Sequence, residues 1–327
     1  MANSATSSSS TSSKLQHFPI AFFAMIMGTT GLTLAWQKAA EVLQLPVIVS
    51  QVLLVLVACL FLAVSLGYVI KILRFPEMSL KEFHHPIKIS FFPAFSISVL
   101  LLSVATLQVS TDLSLYLWGV GCIMHLGFTL HVITQWIHHP KFQIQHSTPA
   151  WFIPVVGNII VPITGTEHGF YEISWFFFSI GIVYWIILKT LIFNRVLFHD
   201  PLPEKLLPTL FILIAPPAVG FISYTKLNGG EIDAFARILF YSAMFLLLLL
   251  FTQLERFRRI PFFLSWWAYS FPLAASSIAI QIMYHKTGYA FLEILSWISL
   301  TVASLVIAFL LFKTFKAVRS GGVFKPD

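Results

Sequence analysis

Residues 148–165 read TPAWFIPVVGNIIVPITG, an almost wholly apolar stretch that prolines interrupt at positions 154 and 162. A proline inside a helix removes one backbone hydrogen bond, and its ring presses on the preceding turn. In lipid the carbonyl left without a partner cannot be satisfied, so such a helix belongs inside protein or beside a water-filled cavity. We therefore expect an interrupted membrane helix in the interior of the molecule.

The same interruption recurs in alternate hydrophobic segments. Ten segments are long enough to be considered as spans, and they run roughly over 18–36, 47–70, 89–108, 113–136, 150–165, 170–192, 206–225, 232–252, 263–284 and 291–312. The third, fifth, seventh and ninth contain Pro93, Pro154, Pro162, Pro208, Pro216, Pro217 and Pro272, whereas the even-numbered segments have no interior proline. This alternation predicts an all-α integral membrane fold of ten transmembrane helices, built as five helical hairpins with an inner ring of odd-numbered helices around a central pore. The alternative is that these prolines only serve packing, because proline is common in membrane helices generally.

Composition supports a membrane protein. Hydrophobic residues make up 57% of the 327-residue chain and charged residues 10%, with a mean hydropathy of +0.85. A bilayer core of about 30 Å needs about 20 apolar residues per helix. We expect a disordered cytoplasmic tail over 1–16, a ten-helix transmembrane domain over 17–315 and a cytoplasmic tail over 316–327. The first segment has no clear small-residue cleavage site, which favours an uncleaved helix over a signal peptide.

The basic residues are distributed unequally between the loops. In the ten-helix arrangement only Lys38, Lys226 and Lys286 fall on one side. The other side receives Lys14, Lys71, Arg74, Lys81, Lys88, Lys141, Lys189, Arg195, Lys205, Arg256, Arg258, Arg259, Lys313, Lys316, Arg319 and Lys325. An excess of Lys and Arg marks the cytoplasmic side. The pattern places both termini in the cytoplasm and predicts a multi-pass protein of the plasma membrane, with a bacterial inner membrane as the favoured setting.

Within these boundaries the odd-numbered segments hold no Asp, Glu, Lys or Arg. They carry small polar side chains instead: Thr29, Thr30, Thr33, Ser90, Ser96, Ser98, Asn158, Thr164, Ser223, Ser270, Ser276, Ser277 and Gln281. Ion-coupled pumps usually need an intramembrane titratable group, whereas uncharged dipoles behind a positive rim favour weak, multi-site anion binding. The alternative is that these hydroxyls bond to the carbonyl four residues back or join helices.

The remaining polar residues of the spans have ordinary structural explanations. Asp233 and Arg237 are four residues apart, which puts them on one helix face. His125 and His131 are six apart and therefore on different faces, so we expect packing histidines rather than a shared metal. No HExxH or GxSxG motif is present, which argues against an intramembrane enzyme. We expect no catalytic residue, no metal site, no cofactor and no nucleic-acid partner.

Several motifs together resemble the tellurite-resistance/dicarboxylate transporter family, to which bacterial TehA and the plant slow-type anion channels belong. The resemblance covers residues 17–315. It rests on the string 266–273 (WWAYSFPL), the first-segment residues 18–20 (FPI) and 31–36 (GLTLAW), residues 85–91 (HPIKISF), residues 148–157 (TPAWFIPVVG) and residues 215–217 (APP). The order and the spacing of these strings make the match more specific than any one of them.

The resemblance implies a homotrimer in which each protomer has its own pore, plugged by a phenylalanine of the ninth helix. The corresponding residue is Phe271, beside the break at Pro272. The pore-lining candidates are Gly28, Ser96, Gly157, Asn158, Gly220 and Ser270, and the helix breaks are at Pro93, Pro154, Pro162, Pro216, Pro217 and Pro272. Ala21 and Ala24 replace glycines that are common in the family, so the pore is expected to be narrower there.

Two functions follow from the resemblance. The first is an anion channel or channel-like exporter of small monovalent anions or organic acids, which is gated at Phe271 and embedded in the lipid bilayer. The alternative is a proton-coupled C4-dicarboxylate, malate-type carrier or a tellurite-related transporter. A carrier would be expected to place a titratable or basic residue in the inner ring, and the sequence offers none within the boundaries given above.

Overall fold

The computed structural model describes residues 14–324, and this part of the chain is helical with no β-strand. Of the predicted disordered tail, residues 1–13 lie outside the described residues, and residues 14–16 form a helical turn. Twelve helices are labelled here: α1 (Ile20–Val42), α2 (Val47–Arg74), α3 (Pro76–Phe83), α4 (Lys88–Thr106), α5 (Thr111–His138), α6 (Pro149–Gly165), α7 (Tyr171–Phe198), α8 (Glu204–Leu227), α9 (Ala234–Phe251), α10 (Leu254–Arg258), α11 (264–287) and α12 (Ala290–Arg319).

Eight of these helices are long and apolar enough to cross a membrane: α1, α2, α4, α5, α7, α8, α9 and α12. The other two predicted spans correspond to α6, which is apolar but shorter, and to α11. The continuous helices extend beyond the predicted boundaries, and α12 reaches Arg319. Helix α3, which begins with Pro76 at its first turn, was not predicted, because only apolar segments of span length were sought.

Helices α1, α4, α6, α8 and α11, here called the broken helices, each begin as a 3-10 helix and continue as an α-helix. The 3-10 segments are Ile20–Phe22, Lys88–Phe91, Pro149–Phe152, Glu204–Ile214 and Leu264–Tyr269. In four of the five, one or two prolines lie within the first three residues of the following α-segment: Pro93, Pro154, Pro216 with Pro217, and Pro272. Proline is tolerated there because the first helical turn has no partner for its missing N–H. Pro162 begins a second short α-segment, Pro162–Gly165.

Burial separates the broken helices from the other long helices α2, α5, α7, α9 and α12, here called the continuous helices. In the most apolar stretch of α1, α4 and α8, between 72% and 89% of the residues are buried. The corresponding fraction in the continuous helices is between 17% and 33%. The sequence-based division into inner and outer helices therefore matches the burial of these eight helices.

The broken helices also contact one another in order along the chain. Helix α1 packs against α4, α4 against α6, α6 against α8, α8 against α11, and α11 against α1. Their 3-10 segments follow the same order of contacts, from the first to the fifth and back to the first. The five 3-10 segments therefore lie together at one end of the broken helices.

Candidate functional site

A cavity of about 680 Å³ lies among the 3-10 segments and is lined by residues of all five broken helices. Its lining runs from exposed residues such as Lys81 and Lys205 to buried residues such as Trp267 and Phe271. On the five broken helices, the last lining residues along the chain are Met27, Phe91, Val156, Ala215 and Pro272. The cavity therefore reaches inward only as far as the start of the α-segments, at the level of the proline breaks.

Phe271 lies at this inner end and is 7% exposed. It is the second residue of the α-segment Ser270–Thr287 and precedes Pro272, which also lines the cavity. Its ring lies against Gly31 of α1, since a Cβ atom added to Gly31 would be 3.1 Å from Cδ2 of Phe271. The predicted gate residue thus occupies a position between the cavity and a glycine of the neighbouring helix.

Ala21 and Ala24 both line the cavity. They are half-buried, while the α1 residues around them, Phe22, Phe23 and Met25, are buried. Both residues therefore contribute to the cavity wall, which is the condition under which their methyl groups would narrow a pore.

The charges around the cavity are mostly positive. Its lining includes Lys71, Lys81, Lys88, Lys205, His17 and His85, with Glu82 as the carboxylate of the lining. The prediction that the inner spans hold no Asp, Glu, Lys or Arg is wrong at the ends of the helices. Charged residues lie near the end of α1 (Lys38 and Glu41), at the start of α4 (Lys88), at both ends of α8 (Glu204, Lys205 and Lys226) and at the end of α11 (Lys286). The predicted boundaries left these residues out, because charged residues were assigned to loops.

Glu82 is buried and fully engaged. Its Oε1 accepts the backbone N–H of Ile20 at 3.0 Å, and its Oε2 accepts the Tyr68 hydroxyl at 3.0 Å together with the Lys71 ammonium group. Lys71 also donates to the carbonyl oxygen of Phe18 at 2.8 Å. A buried carboxylate and ammonium need such partners, and here they fix the start of α1 against α2 and α3. Sequence reasoning missed this cluster because 62 residues separate Ile20 from Glu82.

Three of the predicted lining residues meet around His125 and the carbonyl oxygen of Pro154 instead of at the cavity. Ser96 Oγ bonds to Nδ1 of His125 at 2.9 Å, and a Cβ atom added to Gly157 would lie 2.1 Å from Cε1 of the same ring. Nε2 of His125 bonds to the carbonyl oxygen of Pro154 at 2.9 Å, and Asn158 Nδ2 donates to that oxygen at 2.9 Å. This junction joins α4, α5 and α6, and none of its residues is in the cavity lining.

The other three predicted lining residues also lie at helix contacts. Gly28 faces Ser270, because an added Cβ atom would be 2.0 Å from Ser270 Oγ. Ser270 Oγ donates to the Trp267 carbonyl oxygen at 2.6 Å. Gly220 faces Leu239 of α9 and Ile182 of α7, at 3.4 to 3.5 Å from an added Cβ. Of the predicted breaks, Pro272 lines the cavity, while Pro93, Pro154, Pro162, Pro216 and Pro217 are buried outside its lining.

His125 and His131 of α5 both lie in packing contacts, as expected from their separation in sequence. His125 is fully buried, and the ring of His131 stacks on Phe83 with centroids 4.8 Å apart. Among residues 14–324 no group of three or more His, Cys, Asp or Glu side chains could hold a metal ion. Asp233 caps α9 by accepting the Ala236 N–H at 2.9 Å, and this bond and the Tyr224 hydroxyl hold the pKa of Asp233 below its usual value.

The chain is similar to known proteins over most of its length. The sequence profile of the voltage-dependent anion channel family matches residues 17–315. The S-type anion channel SLAH3 of Arabidopsis thaliana is 29% identical over 307 residues, which are 92% of this chain and 48% of that protein. SLAH2 of the same plant is 30% identical over 301 residues, or 90% of this chain and 58% of that protein.

A bacterial relative matches over most of both chains. The tellurite resistance protein TehA homologue of Haemophilus influenzae is 26% identical over 273 residues, which are 82% of this chain and 81% of that protein. In contrast, this chain spans about half the length of the plant relatives SLAH3 and SLAH2. With the family profile covering nearly the whole helical region, the chain belongs to the voltage-dependent anion channel family and is a multi-pass membrane protein.

Proposed function

We propose that the protein is an anion channel, or channel-like exporter, of small monovalent anions or organic acids, and that Phe271 is its gate. The observation that carries this proposal is a cavity with a lysine-rich rim that ends at the buried ring of Phe271. A basic rim raises the local concentration of anions. An apolar plug prevents their passage, because an ion that leaves water here finds no replacement for its hydration shell.

The pore in this proposal is the axis of ten transmembrane helices in five hairpins, with the broken helices as an inner ring. The order of contacts among the broken helices, in which α11 packs back against α1, supports a closed ring. The burial of α1, α4 and α8 supports their inner position. By the distribution of Lys and Arg, the cavity opens to the cytoplasm and both termini are cytoplasmic. The plasma membrane is part of the same proposal.

The continuous helices offer large apolar surfaces, and the assembly is proposed to be a homotrimer with one pore in each protomer. SLAH3 and SLAH2 are described as S-type anion channels, which supports anion transport for this chain as well. Opening requires that the Phe271 side chain leave the inner end of the cavity. Moving a buried phenylalanine ring into water costs about 1.5 to 3 kcal/mol, a free-energy difference that a bound regulator can supply.

A proton-coupled C4-dicarboxylate or tellurite-related carrier is the second candidate. The observation in its favour is the group of Lys71, Lys81, Lys88, Lys205, His17 and His85 in the cavity lining, because basic side chains could bind a dianion such as malate. The name of the Haemophilus influenzae relative refers to tellurite resistance, which supports a tellurite-related substrate for this second candidate.

The test measures current through the purified wild-type and Phe271→Ala proteins in planar bilayers. A chloride gradient is applied across the bilayer, malate serves as the comparison anion, and the pH is varied. A gated channel predicts a current that reverses at the anion potential, grows severalfold in Phe271→Ala and does not follow the proton gradient. Absence of current in both proteins, together with malate uptake driven by a proton gradient in liposomes, would favour the carrier.

A further inference from the structure

The ring of Phe271 fits a notch in α1 that exists because Gly31 has no side chain. A Cβ atom at Gly31 would lie 3.1 Å from Cδ2 of Phe271 and 3.1 Å from Cβ of Ala274. Both distances are below ordinary van der Waals contact, so any side chain at position 31 would displace the ring, the helix or both. Gly31 is one turn beyond Met27, the last α1 residue that lines the cavity.

The notch is part of a close approach between α1 and α11. One turn before Gly31, a Cβ atom at Gly28 would be 2.0 Å from Ser270 Oγ and 3.2 Å from the Trp267 ring. Small residues let two membrane helices pack closely enough for such contacts. Gly28 therefore fixes the approach of the two helices, whereas Gly31 faces the one side chain of α11 that is proposed to move.

The same stretch of α1 is able to adapt its curvature. Thr29, Thr30 and Thr33 donate their hydroxyls to carbonyl oxygens four residues back, at 2.7, 2.7 and 3.0 Å. Such bonds to the preceding turn weaken and often bend helices, and glycine has a low helix propensity. A small bend between residues 28 and 33 would change the distance between Gly31 and Phe271 without breaking any of these bonds.

We propose that Gly31 is a positioning residue that seats the ring of Phe271 in the closed pore, so that the approach of α1 to α11 sets how firmly the gate is closed. This inference rests on the proposed role of Phe271. A methyl group at position 31 crowds the seated ring and leaves the displaced ring unaffected. Overpacking of this kind shifts a two-state balance by a factor of about 5 to 30.

The experiment measures chloride efflux from liposomes for wild type, Gly31→Ala, Phe271→Ala and the double variant. Gly31→Ala is expected to raise the efflux rate severalfold, at most to the rate of Phe271→Ala, and to have no further effect when Phe271 is already alanine. Gly119→Ala is the matched control, because an added Cβ atom there meets nothing within 4 Å, and its efflux should equal that of the wild type.

The second contact of the notch needs its own variant, since Gly31→Ala also presses on Ala274. In an Ala274→Gly background the methyl group at position 31 meets only Phe271, so the rise in efflux should persist even if Gly31→Ala alone fails to fold. A thermal unfolding series on the same four proteins reports the contact independently of transport. Gly31→Ala should lower the midpoint temperature less when Phe271 is alanine, because the crowding is then relieved.

The outcomes separate the two proposals. If Phe271→Ala raises efflux and folded Gly31→Ala does not, the proposed role of Gly31 is wrong and the proposed role of Phe271 is supported. If Gly31→Ala changes the efflux rate equally with and without the Phe271 ring, the proposed role of Gly31 is also wrong, because the effect would then be transmitted through the helix backbone. If Phe271→Ala leaves the efflux rate unchanged, Phe271 is not the gate, and the proposed role of Gly31, which depends on it, is wrong as well.

Discussion

The breaks at Pro154 and Pro272 occupy corresponding positions in two broken helices, yet their surroundings differ. The carbonyl oxygen of Pro154 accepts hydrogen bonds from the side chains of His125, Thr129 and Asn158. Near Pro272 the side-chain hydrogen bonds hold Trp267 of the preceding 3-10 segment, whose Nε1 donates to Thr314 Oγ1 at 2.9 Å. Phe271 itself lies among apolar neighbours and against Gly31.

This difference indicates which break can move. Hydrogen bonds inside a membrane protein have no water to replace them, so a break held by three side chains keeps one geometry. Apolar packing has no preferred direction, and its energy changes smoothly with position. The Pro154 break is therefore a fixed part of the scaffold, and the Pro272 break is the part suited to gating.

His125→Ala is the largest expected disruption of the fixed break. It removes the bonds to Ser96 and to the Pro154 carbonyl and leaves a void, which together should lower the free energy of unfolding by about 3 kcal/mol. Reversible unfolding in mixed micelles measures this, with His131→Ala as a control that loses only the stacking on Phe83. Chloride efflux should not rise in folded His125→Ala; a rise as large as that of Phe271→Ala would mean that the two breaks act together.

Ala24→Gly tests the packed region at the cavity wall and should have a smaller effect. Removing the methyl group widens the cavity, so chloride efflux should rise modestly, at a helix-stability cost of about 1 kcal/mol. Ala35→Gly is the matched control, since Ala35 is fully buried on the same helix and is absent from the cavity lining. Equal efflux in the two variants would show that Ala24 does not limit the pathway.

Lys205→Gln should have the smallest effect, because the side chain is exposed at the cavity rim. Surface charges attract ions over a screening length of about 30 Å at 0.01 M salt and about 8 Å at 0.15 M. We expect reduced anion current at low salt and a current close to that of the wild type at physiological salt. Lys286→Gln, on the side with few basic residues, serves as the control. A loss of current that is independent of salt would indicate direct anion binding by Lys205.

Much of the fold could be predicted from the sequence because it depends on local properties. The apolar segments gave the long helices, and the prolines indicated the breaks, since a missing N–H has the same consequence in any membrane helix. The exact form of the breaks could not be predicted. A 3-10 segment such as Glu204–Ile214 depends on packing against the neighbouring 3-10 segments, which no local pattern encodes.

The candidate site was less predictable. Phe271 could be singled out among 33 Phe residues only through the resemblance of the surrounding motif to a family. The contact between Gly31 and Phe271 and the buried pair of Lys71 and Glu82 join residues that are far apart in sequence or on different helices. Ser96, Gly157 and Asn158 were selected for polarity or small size, which suit a pore wall and a tight helix contact equally well.

The most direct test of the gate is a series of side chains of decreasing size at position 271, from Phe through Leu and Val to Ala, with chloride efflux measured at matched amounts of folded protein. If Phe271 closes the pore, the efflux rate should rise step by step as the side chain shrinks, and wild type should be the slowest. An efflux rate that stays the same across the series would contradict the account, because the ring could then not be the barrier to anion passage.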